Sequence, residues 1–426
     1  MEDPLVGADP VSFLRSLAAV APALVRNPTG VVAANARMVT GLAAAVRAAA
    51  GRAVGLETAG PVSPVKGDKR FNDLAYAENP AYFLLAQQYL LTRRLVDGLL
   101  DAAGLEADKD AKARFAAAFM LDAMAPTNTL PGNPAALRQA FDTGGKSLLR
   151  GAKNMLGDIR HNGGWPSQVD STGFEVGVNM AATPGSVVYR SDLIELIQYE
   201  PQVKRVHKVP LLFCPPWINK YYIMDLAPGK SLIEWAVRHG HTCFAISYRN
   251  PDSSMRDLGF EDYLQQGPLD AVRVVREITG APEVNTVSVC LGGTLTAIAL
   301  AHNAAIGDAS IKSATFLNTH TDFTTKGSLG VFTDEATIAG LEKKMAKRGY
   351  LDSEQMAHTF DALRANDLVF SYVVNNWLLG KRPPAFDLLV WNKDSTRMPA
   401  KMHSQYLRSC YLNNEFARGE FTVDGQ

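Results

Sequence analysis

Apolar residues recur at helical spacing through most of the first ~170 residues, in "ARMVTGLAAAVRAAAG", "NPAYFLLAQQYLLTRRLVDGLLDAAGL" and "DAKARFAAAFMLDAMA". Loop-like punctuation separates these runs. In "APTNTLPGNPAALRQAF" Asn133 is placed to cap a helix that begins with Pro134. A Gly- and Ser-containing passage, "HNGGWPSQVDSTGFEVG", then leads out of a helical domain spanning residues 1–175.

From about Ser186 the period changes. "SVVYRSDLIELIQY", "VPLLFCPP", "HTCFAISYRNP", "VNTVSV" and "SATFLNT" read as strands, with helices predicted over "APGKSLIEWAVRHG" and "DYLQQGPLDAVRVVREITG" between them. Short β-branched runs alternating with helices predict an α/β fold, a mostly parallel sheet with helices on both faces, over residues 176–319. Residues 320–412 are mostly helical without a core strand. They read as a cap inserted over the strand ends, after which residues 413–426 return to the core.

Composition narrows the function. The chain has 426 residues, 47% of them hydrophobic, which is enough for two or three domains with sizeable cores. With 43 basic and 43 acidic residues the net charge is zero, so no nucleic-acid partner is expected. The N-terminus is acidic and its apolar stretch is broken by Pro22 and ended by Arg26, unlike a secretory signal. No uncharged apolar run reaches the ~18 residues of a membrane span, and a cytoplasmic protein is expected. Four scattered cysteines (Cys214, Cys243, Cys290, Cys410) fit neither a zinc motif nor a disulfide framework, so no metal is expected and the thiols are read as reduced.

One of these thiols stands apart. In "VSVCLGGTL" a strand runs straight into Cys290, and "GGTLTAIALAHNAA" reads as the helix that follows. A nucleophile on such a turn needs small neighbours, because strand and helix backbones approach closely there. Gly292 fills the second small position, and Ser288 stands where a glycine is usual. The Leu291 N–H at the helix start is half of an oxyanion hole, and its field is expected to lower the Cys290 pKa. The second donor is expected from the stiff loop after strand 209–214, at Trp217 or Ile218. Cys214, Cys243 and Cys410 read as buried structural thiols. His320 and Asp322 follow a core strand and could form a base pair, but reading them as the start of the cap is favoured. His403 reads as part of a helix packed on the core.

With these residues assembled, the chain resembles the polyhydroxyalkanoate synthases, or poly(3-hydroxybutyrate) polymerases, of the single-subunit type. The resemblance rests on "DKRFNDLAYAENPAYFLLAQQYLL", "APTNTLPGNPAAL", "PPWINKYYIMDLAPGKSLIEWAVRHGHTCFAISYRNPD", "VCLGGT" and "LLVWNKDSTRMPAKMHSQYLRSCYLNNE". It implies an α/β-hydrolase-fold acyltransferase that loads a 3-hydroxyacyl group from coenzyme A onto Cys290 and extends a growing polyester, with no cofactor beyond the substrate's own CoA. It also implies a homodimer at the surface of polymer granules. In the family a histidine supported by an aspartate acts as base, on loops well downstream of "WNKDST". No matching pair follows Leu412, so the expectation is a sheet short of its closing strands and slow or absent turnover by this chain alone. Two other readings stay open: a non-catalytic paralogue or granule-associated partner subunit, and a thioesterase on the same fold.

Overall fold

Helix starts in the N-terminal part are set by Asn-Pro pairs. Asn27, Asn79 and Asn133 each accept a backbone N–H of the following turn through the side chain, and the proline after each sits where no N–H is needed. The structure, a computed structural model, describes residues 10–425 and divides into two compact units. The first runs to Gln168 and takes in His358–Pro384. It holds α1 (Pro10–Val25), α2 (Pro28–Ala53), α3 (Leu74–Glu78), α4 (Pro80–Ala103), α5 (Ala107–Ala123), α6 (Pro134–Asp142) and α7 (Lys146–His161). Ala45 of α2 packs with Leu90 and Leu91 of α4, while Arg70 and Arg93 converge on Asp122 in a half-buried ion cluster. By length and mean hydropathy α2 is the one described helix that could cross a membrane; it carries Arg37, Arg47 and Arg52.

The second unit comprises Val169–Ala357 and Ala385–Gln426, so the stretch 320–412 contributes to both units. Its sheet has six strands: β1 (Gly185–Arg190), β2 (Ile194–Tyr199), β3 (Leu211–Cys214), β4 (Cys243–Tyr248), β5 (Val284–Val289) and β6 (Ile311–Leu317). They lie in the order β1-β2-β4-β3-β5-β6, with β6 at one edge, its Phe316 and Leu317 exposed. The first predicted strand is in fact an antiparallel hairpin, turned at Ser191, whose Oγ accepts the N–H groups of Leu193 and Ile194. From β4 to β6 the pairing is parallel.

Crossovers are made by α8 (Leu232–Arg238), by α9 (Phe260–Leu264) and α10 (Asp270–Thr279), and by α11 (Leu291–Ile306). The single helix expected before β5 is broken at Gly267-Pro268, where the proline cannot continue the ladder. Alternate residues face opposite layers: Phe213 and Ala245 turn to α8, while Leu212, Cys214, Phe244 and Ile246 join the larger core with α10 and α11. Beyond the sheet lie α12 (Glu335–Arg348), β7 (Tyr350–Leu351), α13 (Ser353–Leu363), α14 (Asp387–Lys393), β8 (Met398–Pro399) and α15 (Ala400–Gln405). The two short strands pair only with each other.

β3 leads through α8 to β4 on one side, and β5 leads through α11 to β6 on the other. The chain therefore switches direction between β3 and β5, and the crevice beyond their carboxyl ends is where such sheets bind ligands.

Candidate active site

Cys214 of β3 lies opposite Ser288 of β5, so the loop after β3 begins level with Cys290. Cys290 adopts φ 52° and ψ −121° between β5 and α11, a conformation that costs a non-glycine residue roughly 1–3 kcal/mol. The turn is held from both sides. The Cys290 N–H donates to the Leu317 carbonyl of β6 at 3.0 Å, and its carbonyl accepts from the Gly293 and Thr294 N–H groups.

The glycines are steric requirements. A Cβ at Gly292 would run into the backbone carbonyls of Cys214 and Pro215, and one at Gly293 into the Thr319 side chain. Backbone carbonyls cannot swing aside. Gly292→Ala should therefore lower stability by at least the roughly 1–3 kcal/mol typical of overpacking, and thermal denaturation showing no loss would refute the close approach. Ser288, where a glycine is usual, is fully buried; its hydroxyl donates to Thr296 Oγ1 at 2.9 Å, and Thr296 in turn donates to the Gly292 carbonyl. The substitution ties the strand to the helix that follows it.

The thiol is half-buried, packed against a core cluster that contains Trp217, Leu291, Phe323, Tyr406 and Tyr411. Burial pushes its pKa up, and the Leu291 N–H that donates to it offsets only part of this rise. The lowered pKa expected from the helix start is thus overturned, because desolvation of the thiolate outweighs one backbone donor. The other three thiols are buried, with pKa values pushed up to about 11 for Cys214 and about 12 for Cys243 and Cys410.

The loop after β3 is rigid for reasons beyond its two prolines. Trp217 is buried, edge-on to the rings of Phe260, Tyr263 and Tyr406. Its carbonyl accepts from Thr396 Oγ1 at 2.9 Å, and the Ile218 carbonyl accepts from the Thr396 N–H at 3.3 Å. Trp391 donates to the Lys220 carbonyl, and the Tyr222 hydroxyl donates to Asp394. The N–H groups of Trp217 and Ile218 are not taken by any other described residue. "WNKDST" is therefore a brace for this loop, a role its composition did not announce.

Two tyrosines were also missed. Tyr406 and Tyr411 lie on a π-helical turn, Tyr406–Leu412, whose five-residue spacing sets them on one face with their rings edge to face, centroids 5.4 Å apart. Burial raises the pKa of both phenols, and the nearby Cys290 thiol adds to the rise. The spacing itself was the available signal.

His320 and Asp322 do not form a pair. Asp322 accepts from the Thr324 hydroxyl and N–H and from Asn414, which hold its carboxyl below the usual range. His320 lies against Phe323, and its carbonyl accepts from Thr294. His403 is buried. Among the described residues no cluster of His, Cys, Asp or Glu is placed to hold a metal ion.

The chain is 44% identical over 423 residues to the poly(3-hydroxyalkanoate) polymerase of Methylorubrum extorquens, covering 98% of this chain and 70% of that one. It belongs to the poly(3-hydroxyalkanoate) polymerase family. Family models agree: residues 67–236 match the N-terminus of poly-beta-hydroxybutyrate polymerase (PhaC), and residues 209–412 match the alpha/beta hydrolase fold. The poly(3-hydroxyalkanoate) polymerase subunit PhaC of Cupriavidus necator is 42% identical over 375 residues, 87% of this chain, and that of Rhizobium meliloti 42% over 369 residues, 86%. The chain spans 63% and 60% of the length of these last two relatives.

Proposed function

We propose that this chain is an acyltransferase that takes a 3-hydroxyacyl group from its coenzyme A thioester onto Cys290, releases CoA, and passes the acyl group to the terminal hydroxyl of a growing polyester. The observation that carries the reading is the strained Cys290 turn, with the Leu291 N–H on its thiol, in a chain of this family.

Attack by the Cys290 thiolate on the thioester carbonyl develops negative charge on the carbonyl oxygen. The Leu291 N–H and one of the uncommitted N–H groups at Trp217 and Ile218 act as the oxyanion hole. Collapse of the intermediate expels CoA and leaves an acyl-thioester, from which Cys290 is in turn a good leaving group. The aromatic surroundings exclude water and favour a chain hydroxyl as acceptor over hydrolysis. The groups acting on the thiol are burial and the Leu291 N–H; no described histidine is among them. Loading of Cys290 from an activated thioester is therefore expected to outpace the transfer to a hydroxyl, which needs a base, so that the acyl-enzyme accumulates. The family implies that the enzyme works as a homodimer at the surface of cytoplasmic polymer granules.

The test is product analysis with 3-hydroxybutyryl-CoA. Released CoA accompanied by oligomeric ester supports the proposal. CoA accompanied only by free 3-hydroxybutyrate would make the protein a thioesterase.

A further inference from the structure

Helix α7 is packed inside out. Its inward side is small and polar: Ser147 and Gly151 are buried, and a Cβ at Gly151 would strike the Trp377 carbonyl. Asn154 donates to the carbonyls of Asn376 and Lys381, and Asp158 accepts from Trp377 Nε1 at 2.7 Å and from the Ser167 hydroxyl at 2.5 Å. The outward side carries Leu149, Ala152, Leu156 and Ile159, at intervals of three, four and three residues that form one stripe about 15 Å long. Leu149 is 74% exposed, Leu156 48% and Ile159 55%. Phe141, just before α7, is 82% exposed. Isolated exposed apolar side chains need no explanation, but a continuous stripe on a helix that hides its polar side does.

The charges around the stripe have one sign. Lys146, Arg150, Lys153 and Arg160 flank it, and the only carboxylate in α7 is the inward Asp158; the nearest exposed acid along the chain is Asp142, at the end of α6. The pattern recurs on α2, where Val32, Val39 and Val46 are exposed at seven-residue intervals, and residues 10–56 contain five arginines and no acid. A second copy of α7 laid against the first would bring eight cations together with no counter-charge. An anionic lipid surface matches both features, taking the apolar stripe into its acyl boundary and the cations at its headgroups.

We infer that α7 lies flat on an anionic lipid surface, with Leu149, Leu156 and Ile159 inserted and Lys153 and Arg160 against the headgroups. The inference is independent of the acyl-transfer reading and holds whether or not Cys290 is active.

The test is co-sedimentation of the full chain with vesicles of mixed phosphatidylglycerol and phosphatidylcholine, against phosphatidylcholine alone. Binding is expected only to the anionic vesicles and should weaken as salt rises. The Leu156→Glu, Ile159→Glu double variant should lower the partition coefficient on the order of a hundredfold. The Lys153→Glu, Arg160→Glu variant should lower it about tenfold or more. A Leu156→Trp variant leaves the stripe apolar, and its emission should shift to the blue with anionic vesicles; if the charge variants fail to fold, this readout decides alone. Equal binding to neutral vesicles, unchanged partition in both double variants, or an unshifted tryptophan overturns the inference. So does a Leu156→Glu, Ile159→Glu variant that converts a dimer to a monomer while binding vesicles as before, which would make the occupant a second copy.

Discussion

Cys290→Ala leaves the fold in place and removes the acyl adduct entirely, with CoA release falling by several orders of magnitude. Alanine occupies the same strained turn as cysteine, so the elbow at φ 52° persists and only the nucleophile is lost. After exposure to 3-hydroxybutyryl-CoA, mass spectrometry of the peptide containing Cys290 should show the acyl increment in the parent and none in the variant. An adduct that survives Cys290→Ala sinks the assignment. The raised thiol pKa adds a pH signature. A half-buried thiol held protonated reacts with iodoacetamide in proportion to its small thiolate fraction, so the rate should climb about tenfold per pH unit and continue to rise beyond the ordinary thiol range. Cys214, Cys243 and Cys410 stay silent in the native protein, so one alkylation event per chain is expected. A plateau already at neutral pH would mean a lowered pKa and a partner the structure does not show.

The second large effect is acid sensitivity at His403. This imidazole is buried, its Nδ1 has no hydrogen-bond partner, and burial pulls its pKa down to about 4. In the unfolded chain it titrates near 6.5. Above that pH both states are neutral there and His403 contributes no pH dependence. As pH falls from about 6.5 to about 4, the unfolded chain takes up a proton that the folded one refuses, so stability drops by about 3 kcal/mol. His403→Leu should remove this part of the acid sensitivity. Urea unfolding of both proteins at about pH 7 and about pH 4 measures it; an identical acid loss in parent and variant refutes the buried neutral imidazole.

The elbow was legible because its steric demands are local: a β-branched run, a thiol, then two glycines where the α11 backbone must clear Pro215 and Thr319. The helix start at Asn133-Pro134 was legible for the same reason. What escaped was long-range or ran against the usual pattern. Nothing near Trp217 shows that Thr396 holds its carbonyl, and nothing in "YLRSCYL" marks a π turn except the five-residue gap between its tyrosines. The thiol pKa was misjudged because the helix start is visible in sequence, whereas the rings that desolvate Cys290 come from separate segments, Tyr406 and Tyr411 among them more than a hundred positions away. Helix α7 shows the limit of periodicity most plainly. Apolar spacing says which residues share a face but not which face is buried, and here Gly151 against the Trp377 backbone settles the matter in favour of the polar side.

The Thr396 brace also orders events in time. Residues 217 and 396 meet across 179 positions, so the loop that presents the Trp217 and Ile218 N–H groups can be fixed only after that long loop has closed. Contacts of such high sequence separation form late in folding. The sheet and the Cys290 turn can therefore assemble first, leaving a folding species with its nucleophile in place and its oxyanion hole still open until the "WNKDST" segment docks.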